Sequence, residues 1–275
     1  MDKQFWLEIM QDDYAIPEEH TLDELTGELF SYLGNTDPEL RDDIGYIVYA
    51  NWLEMGKYMQ AEIAEHIQAL LANLETGIGE TKTDTVFLRS FSVLFLAEII
   101  HNDNKAPQID NALIQDILEK GLTYLQSEKD PRGYVQDKGW AHALAHTADL
   151  LRALAKNEHT GLVEHKQMLS GIAEKLVAAS DWVYVHGEDD RLSAAVLSIL
   201  QREMLPIGAV KEWAESFVAP NWRGAWTKEE PTRAFFNVRN FLRSLYLQVN
   251  TEEELPQQAD TEKLILNAVQ SLRPY

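Results

Sequence analysis

Ile63-Ala64-Glu65-His66-Ile67-Gln68-Ala69-Leu70-Leu71-Ala72-Asn73-Leu74 sets its large apolar residues three and four positions apart, the period of a helix with one buried face. The same spacing recurs on both sides of it. Leu22, Leu25, Leu29 and Leu33 follow it, as do Ile44, Ile47 and Val48. Further runs cover about 84–101, 109–127, 139–156, 160–179, 191–202, 207–219, 232–249 and 260–272. Thr21 or Asp23, and the segment Thr36-Asp37-Pro38-Glu39, supply helix starts. Gly34-Asn35, Gly56 and Gly77 stand at run ends, while Gly121 falls near an end or inside a helix. The best strand candidate, Trp182-Val183-Tyr184-Val185, is short and isolated and reads as a loop.

The expected fold is therefore all-α, an α/α superhelix of stacked antiparallel helix pairs of the HEAT or armadillo kind, with a closed α/α toroid as the alternative. No Pro/Gly/Ser-rich linker divides the chain, so residues 1–275 read as a single helical-repeat domain.

Composition narrows the function classes. Hydrophobic residues make up 45% and charged residues 25%, which fits a packed fold and not a disordered chain. Forty-five acids against 24 Lys and Arg give a formal charge of −21, so neither nucleic acid nor an anionic membrane is an expected partner. With no cysteine, thiolate chemistry, disulfides and iron–sulfur clusters are excluded. The N-terminus, Met1-Asp2-Lys3-Gln4-Phe5-Trp6, lacks the apolar run of a signal peptide, and cytoplasm is the expected location. The most apolar stretch, Val86 to Ile100, is broken by Arg89, Ser90, Ser92 and Glu98 and reads as a buried helix.

No GxSxG, HExxH or EF-hand pattern occurs, and Gly77-Ile78-Gly79-Glu80-Thr81-Lys82-Thr83 lacks the second glycine of a P-loop. The richest segment runs from Asp130 to Leu151. There a loop carrying Arg132, Asp137 and Trp140 feeds a helix that sets His142, His146 and Asp149 on one face. The simplest reading is that these histidines hydrogen-bond to neighbouring helices. Otherwise the face lines a ligand-binding groove, or holds a divalent metal on His142, His146 and Asp149; apart from that metal, no cofactor is expected. Polar groups also interrupt two apolar runs: Arg89 in one, and Asn237, Arg239, Asn240, Arg243 and Ser244 in the other. Buried charges need partners, and Arg41, Asp42 and Asp43 would supply one. The loop Pro220-Asn221-Trp222-Arg223-Gly224-Ala225-Trp226 carries two tryptophans suited to anchoring it to the core or to stacking on a sugar or peptide.

The blocks Leu40-Arg41-Asp42, Arg132-Gly133-Tyr134-Val135, Lys138-Gly139-Trp140-Ala141-His142 with His146 and Asp149, and Asn237-Val238-Arg239-Asn240-Phe241-Leu242 resemble those of a bacterial family called domain of unknown function 2785. The resemblance covers nearly the whole chain. It implies the helical architecture and brings no reaction, substrate or catalytic residue.

Two functions follow as expectations. The first is a binding or scaffold protein for a protein or small-molecule partner. The second is a toroid-type enzyme, hydrolase or sugar-active, gathering Asp137, Trp140, Glu188, Asp189, Trp222 and Trp226 at one mouth. In either case His142, His146 and Asp149 are expected to share a polar pocket with Arg132, Trp140 and at least one of Arg89, Asn237, Arg239, Asn240 and Arg243. Scattered through separate cores, each would cost ~1–3 kcal/mol unsatisfied.

Overall fold

The structure, a computed structural model, describes residues 1–220 and 222–272. Twelve α-helices occur among them: α1 (Lys3–Gln11), α2 (Leu22–Tyr32), α3 (Ile47–Glu54), α4 (Gln60–Asn73), α5 (Thr85–Asp103), α6 (Asn111–Ser127), α7 (Ala143–Lys156), α8 (Leu162–Val177), α9 (Glu188–Gln201), α10 (Ile207–Ser216), α11 (Glu229–Thr251) and α12 (Gln258–Ser271). A π-helical segment (Glu39–Tyr46) precedes α3, and a 3-10 turn (Trp222–Thr227) precedes α11. Starts are fixed by side chains that accept orphan amides: Asp2 from Phe5, Thr21 from Glu24 and Asp110 from Leu113. Helix α1 has no counterpart among the expected runs.

Packing runs in sequence order along two rows. Helices α5, α7, α9 and α11 each pack on the next, and so do α4, α6, α8, α10 and α12, while α4–α5, α6–α7 and α11–α12 join the rows. One apolar cluster extends through the chain from Trp6 to Leu272. Helix α5 sits at the busiest junction and is buried nearly all round, from Val86 and Phe87 to Ile99 and Ile100. It is long and apolar enough, by length and composition, to cross a membrane, but two-thirds of that stretch is buried inside the protein. Small buried residues on α7, Ala145 and Ala148, let neighbouring helices approach closely.

The expected helix over 139–156 begins instead at Ala143, because the residues before it form a hairpin. Strands β1 (Tyr134–Val135) and β2 (Gly139–Trp140) pair antiparallel, Tyr134 opposite Trp140. The pairing continues: Ala141 N donates to Gly133 O and His142 N to Arg132 O. Two glycines let the hairpin nestle into the fold. A Cβ on Gly133 would lie 2.3 Å from His186 Nδ1, and one on Gly139, whose φ is +76°, would lie 2.7 Å from Pro38 Cβ. Trp182–Val185 is loop, as its isolation in the sequence implies.

Candidate functional site

The hairpin delivers His142 to the start of α7 in a left-handed conformation, φ 50° and ψ 31°. For a non-glycine residue this costs about 1–2 kcal/mol. The surroundings over-determine it. The His142 ring stacks on Trp140, centroids 4.2 Å apart and planes 17° apart, and its Nε2 lies 3.1 Å from the His186 carbonyl. A carbonyl only accepts, so Nε2 carries the proton and Nδ1 is a bare acceptor.

One turn later, His146 packs edge-on to both Phe91 and the His142 ring. Its Nδ1 lies 2.8 Å from Ser90 Oγ and 3.2 Å from Ser90 O, and Ser90 Oγ itself donates to Ala141 O. The protonated nitrogen is therefore Nδ1, and Nε2 is left as the acceptor. Burial holds both rings neutral: His142 falls to about 4, helped by the nearby Arg191 charge, and His146 falls well below the usual histidine range.

The opposite wall comes from the π-helical segment. Arg41 is fully buried, its guanidinium 4.3 Å from the centroid of Phe87 and 4.7 Å from that of Phe91. It donates to Asn35 O at 2.6 Å and to Lys138 O at 2.8 Å, and so ties this segment to the hairpin. Its Nε lies 2.7 Å from Asp42 Oδ1, a contact too bent to count as a hydrogen bond. Burial pushes the Asp42 carboxyl up to about 6 against the pull of Arg41. Tyr46, one π-turn on, donates to Glu98 at 3.0 Å.

These walls enclose a cleft of about 410 Å³ lined by Asp42, Tyr46, Phe91, Leu94, Trp140, His142, His146, His186 and Arg191. Trp140 remains 39% exposed in it. Of the expected pocket residues, the structure brings together Trp140, His142 and His146. Asp42, Tyr46, His186 and Arg191 complete the cleft. The Leu40-Arg41-Asp42 block pointed toward Asp42, but nothing in the apolar spacing marks the other three.

The remaining residues stand elsewhere, and Arg89, Arg132 and Asn237 are satisfied locally. Arg89 donates to Glu128 at 2.6 and 3.1 Å and to Thr76 O and Gly77 O; its carboxylate partner is Glu128, not Asp42 or Asp43. Arg132 forks onto Asp130 and Thr83 O. Asn237 accepts from Tyr184 N and donates to Trp182 O, bracing the loop before α9. Arg239 lies over Phe235 and Phe236, Asn240 is half-buried and Arg243 is exposed. Asp137 is exposed at the hairpin turn with φ 63°.

Asp149 pairs with Arg191 at 2.5 Å and does not itself line the cleft. Among the described residues no group of three or more His, Cys, Asp or Glu is arranged to hold a metal ion, and the expected set of His142, His146 and Asp149 is not so arranged. The proposed enzyme mouth is not gathered either. Glu188 is buried, accepting from His186 N; Asp189 is half-buried with its carboxyl pushed up by burial; neither lines the cleft. Trp222 is buried and donates to Phe217 O, anchoring its loop to the core, while Trp226 packs on Phe235 and Phe236 at 45% exposure. Asn221 and the side chain of Arg223 lie outside the described residues.

The histidines predict a pH response whose sign is fixed. The folded state depresses His142 from its ordinary 6.5 to about 4, so its contribution to stability is present above pH 6.5 and lost as pH falls toward 4. Asp42 acts oppositely, its contribution fading as pH rises through about 6. In thermal scans from pH 7.5 to 4, the stability gap between the wild type and His142→Asn should narrow as pH falls. Asparagine is chosen because it tolerates the left-handed backbone. A constant gap would show that the ring is not held neutral.

The sequence model of a family described as Protein of unknown function (DUF2785) matches residues 74–247. No curated protein and no solved structure matches the chain.

Proposed function

The chain belongs to the DUF2785 family, and since that description names no reaction, we propose a function from the cleft itself: it binds a small, neutral, polyhydroxylated ligand such as a sugar ring. The observation that carries this reading is an uncharged acceptor pair, His142 Nδ1 and His146 Nε2, in a cleft that the partly exposed Trp140 ring also lines. An anion would find no free cation, because Arg41 faces Asp42 and Arg191 is held by Asp149. A cation would have to displace one of those arginines. Hydroxyl groups donate to bare imidazole nitrogens and accept from Arg191, while the apolar face of a sugar stacks on an indole. The volume lies within the ~300–1,000 Å³ usual for small-molecule sites.

Around this cleft we read the helices as an open α/α superhelix. The sequential packing of both rows supports that reading, and among the described residues no substantial contact joins α11 or α12 back to α1 or α2.

Titration of tryptophan fluorescence with neutral mono- and disaccharides, sugar phosphates and sugar acids tests the ligand class. Neutral sugars should bind, and Trp140→Ala or the double change His142→Gln, His146→Gln should weaken binding at least about tenfold, or ~1.4 kcal/mol. Preference for the anionic sugars, or no response to any neutral one, overturns the reading.

A further inference from the structure

A second cavity, of about 160 Å³, lies on the other side of the start of α7, between the ends of α6 and α8 and the loop before α9. It is far larger than the ~10–15 Å³ that one water occupies. Apolar atoms of Leu125, Pro131, Ala143 and Leu144 form much of its wall, and the side chain of Lys175 reaches into it near the end of α8.

The Lys175 ammonium donates one hydrogen bond, 2.8 Å to Glu128 O, the carbonyl capping α6. The carboxylates around it are otherwise engaged. Glu128 is bound by Arg89, and Asp130 by Arg132 and the Lys82 amide. Asp181 sits at the exposed rim, Tyr184 is buried in the wall, and Lys129 adds a second positive charge nearby. An ammonium that is largely desolvated and next to another cation loses its proton readily, and the pKa of Lys175 is lowered to about 8, chiefly by burial and by Lys129, against the pull of Glu128.

We infer that Lys175 is a nucleophilic amine that condenses with small aldehydes or ketones entering this cavity. The step balances without a co-reactant: the amine nitrogen adds to the carbonyl carbon, the carbinolamine loses its oxygen as water together with the two amine hydrogens, and an imine remains. The limited volume of the cavity favours small carbonyl compounds over bulky ones. A merely structural lysine, capping α6, would give the hydrogen bond to Glu128 O without this reactivity.

The test is reductive trapping. The full chain is incubated at pH 8 with limiting acetaldehyde and cyanoborohydride, and modified peptides are followed by mass spectrometry. At that pH about half of the Lys175 amine is unprotonated, against well under one-hundredth of an ordinary lysine. The Lys175 peptide should therefore label at least about tenfold faster than those of the exposed Lys105 and Lys211. The rate at Lys175 should rise to a plateau above pH 8, and pyridoxal, too bulky for the cavity, should show no preference for it. Lys175→Arg retains the cap and the circular-dichroism spectrum but removes the fast phase. Labelling at Lys175 no faster than at surface lysines overturns the inference, as does equal preference for pyridoxal. Because this cavity is separate from the cleft of His142 and His146, the outcome is independent of sugar binding there.

Discussion

Replacing Glu128 with alanine should lower the melting temperature by about 10 °C. The Arg89 side chain is fully buried and Glu128 nearly so, and removing one partner of such a pair typically costs about 3–5 kcal/mol because the other charge is left stranded. In a chain of this size each kcal/mol shifts the midpoint by ~2–4 °C. The loss is compounded locally, since Glu128 Oε1 also accepts from the Asp130 amide and so holds the loop leading to the hairpin. Replacing both residues with methionine should recover part of the stability. Recovery is incomplete because Thr76 O and Gly77 O would still lack the donor that Arg89 provides. Thermal unfolding followed by circular dichroism decides the matter; a shift of less than ~2 °C for Glu128→Ala would mean that the charge left behind finds water.

Arg41→Met should cost a comparable ~3 kcal/mol and, in addition, abolish ligand binding in the cleft. Methionine fills the slot between Phe87 and Phe91, so the core volume is nearly kept. What disappears is the donor set that joins Asn35 O on one side to Lys138 O on the other, together with the charge facing Asp42. The hairpin then loses its tie to the π-helical segment, and Asp42 its partner. Hydrogen exchange should show faster exchange across 133–142, with α8 to α12 unaffected. Arg41→Lys should recover little, because an ammonium cannot span acceptors on both sides while lying flat between two rings. Unchanged protection of the hairpin in Arg41→Met would show that Gly133, Gly139 and the strand pairing suffice to hold it.

The helices were readable because burial of one face repeats along them, and that repeat is a property of the local sequence. Thr21 caps α2 and Gly56 and Gly77 mark ends, as the spacing implies, while Gly121 lies inside α6 where its missing side chain admits Leu150. The misses have equally definite causes. Helix α1 is short and buries only Trp6 and Ile9, too few residues to establish a period. The hairpin strands have two residues each and are stabilised by Arg41, Pro38 and His186 from distant parts of the chain. The expected pocket joining Arg132 and at least one of Arg89, Asn237, Arg239, Asn240 and Arg243 to the histidines is not gathered for a physical reason: backbone groups and carboxylates satisfy Arg89, Arg132 and Asn237 where they stand. The sequence showed that these groups needed partners but not that the partners lay in loops and at helix ends, among them Asp130 for Arg132, Glu128 for Arg89 and Trp182 and Tyr184 for Asn237. Trp140, His142 and His146 were recognisable because they are neighbours in sequence, whereas Asp42 and Arg191 reach the same cleft only through the tertiary fold.

The bridge made by Arg41 also bears on the order in which the molecule assembles. Helices pack mostly on partners one or two elements along the chain, α8 with α11 being an exception, whereas Arg41 meets acceptors 97 and 99 residues away. Contacts between near neighbours close short loops and form early; those across long loops wait until the intervening chain is ordered. A nascent chain can thus lay down its first helices while the cleft does not yet exist, since Arg191 must follow Asp42 by most of the molecule's length before the last wall is in place. Binding of the proposed ligand would then be a late event in maturation, and a ligand that favours the finished cleft would act on the final closure alone, leaving the earlier helix-by-helix growth untouched.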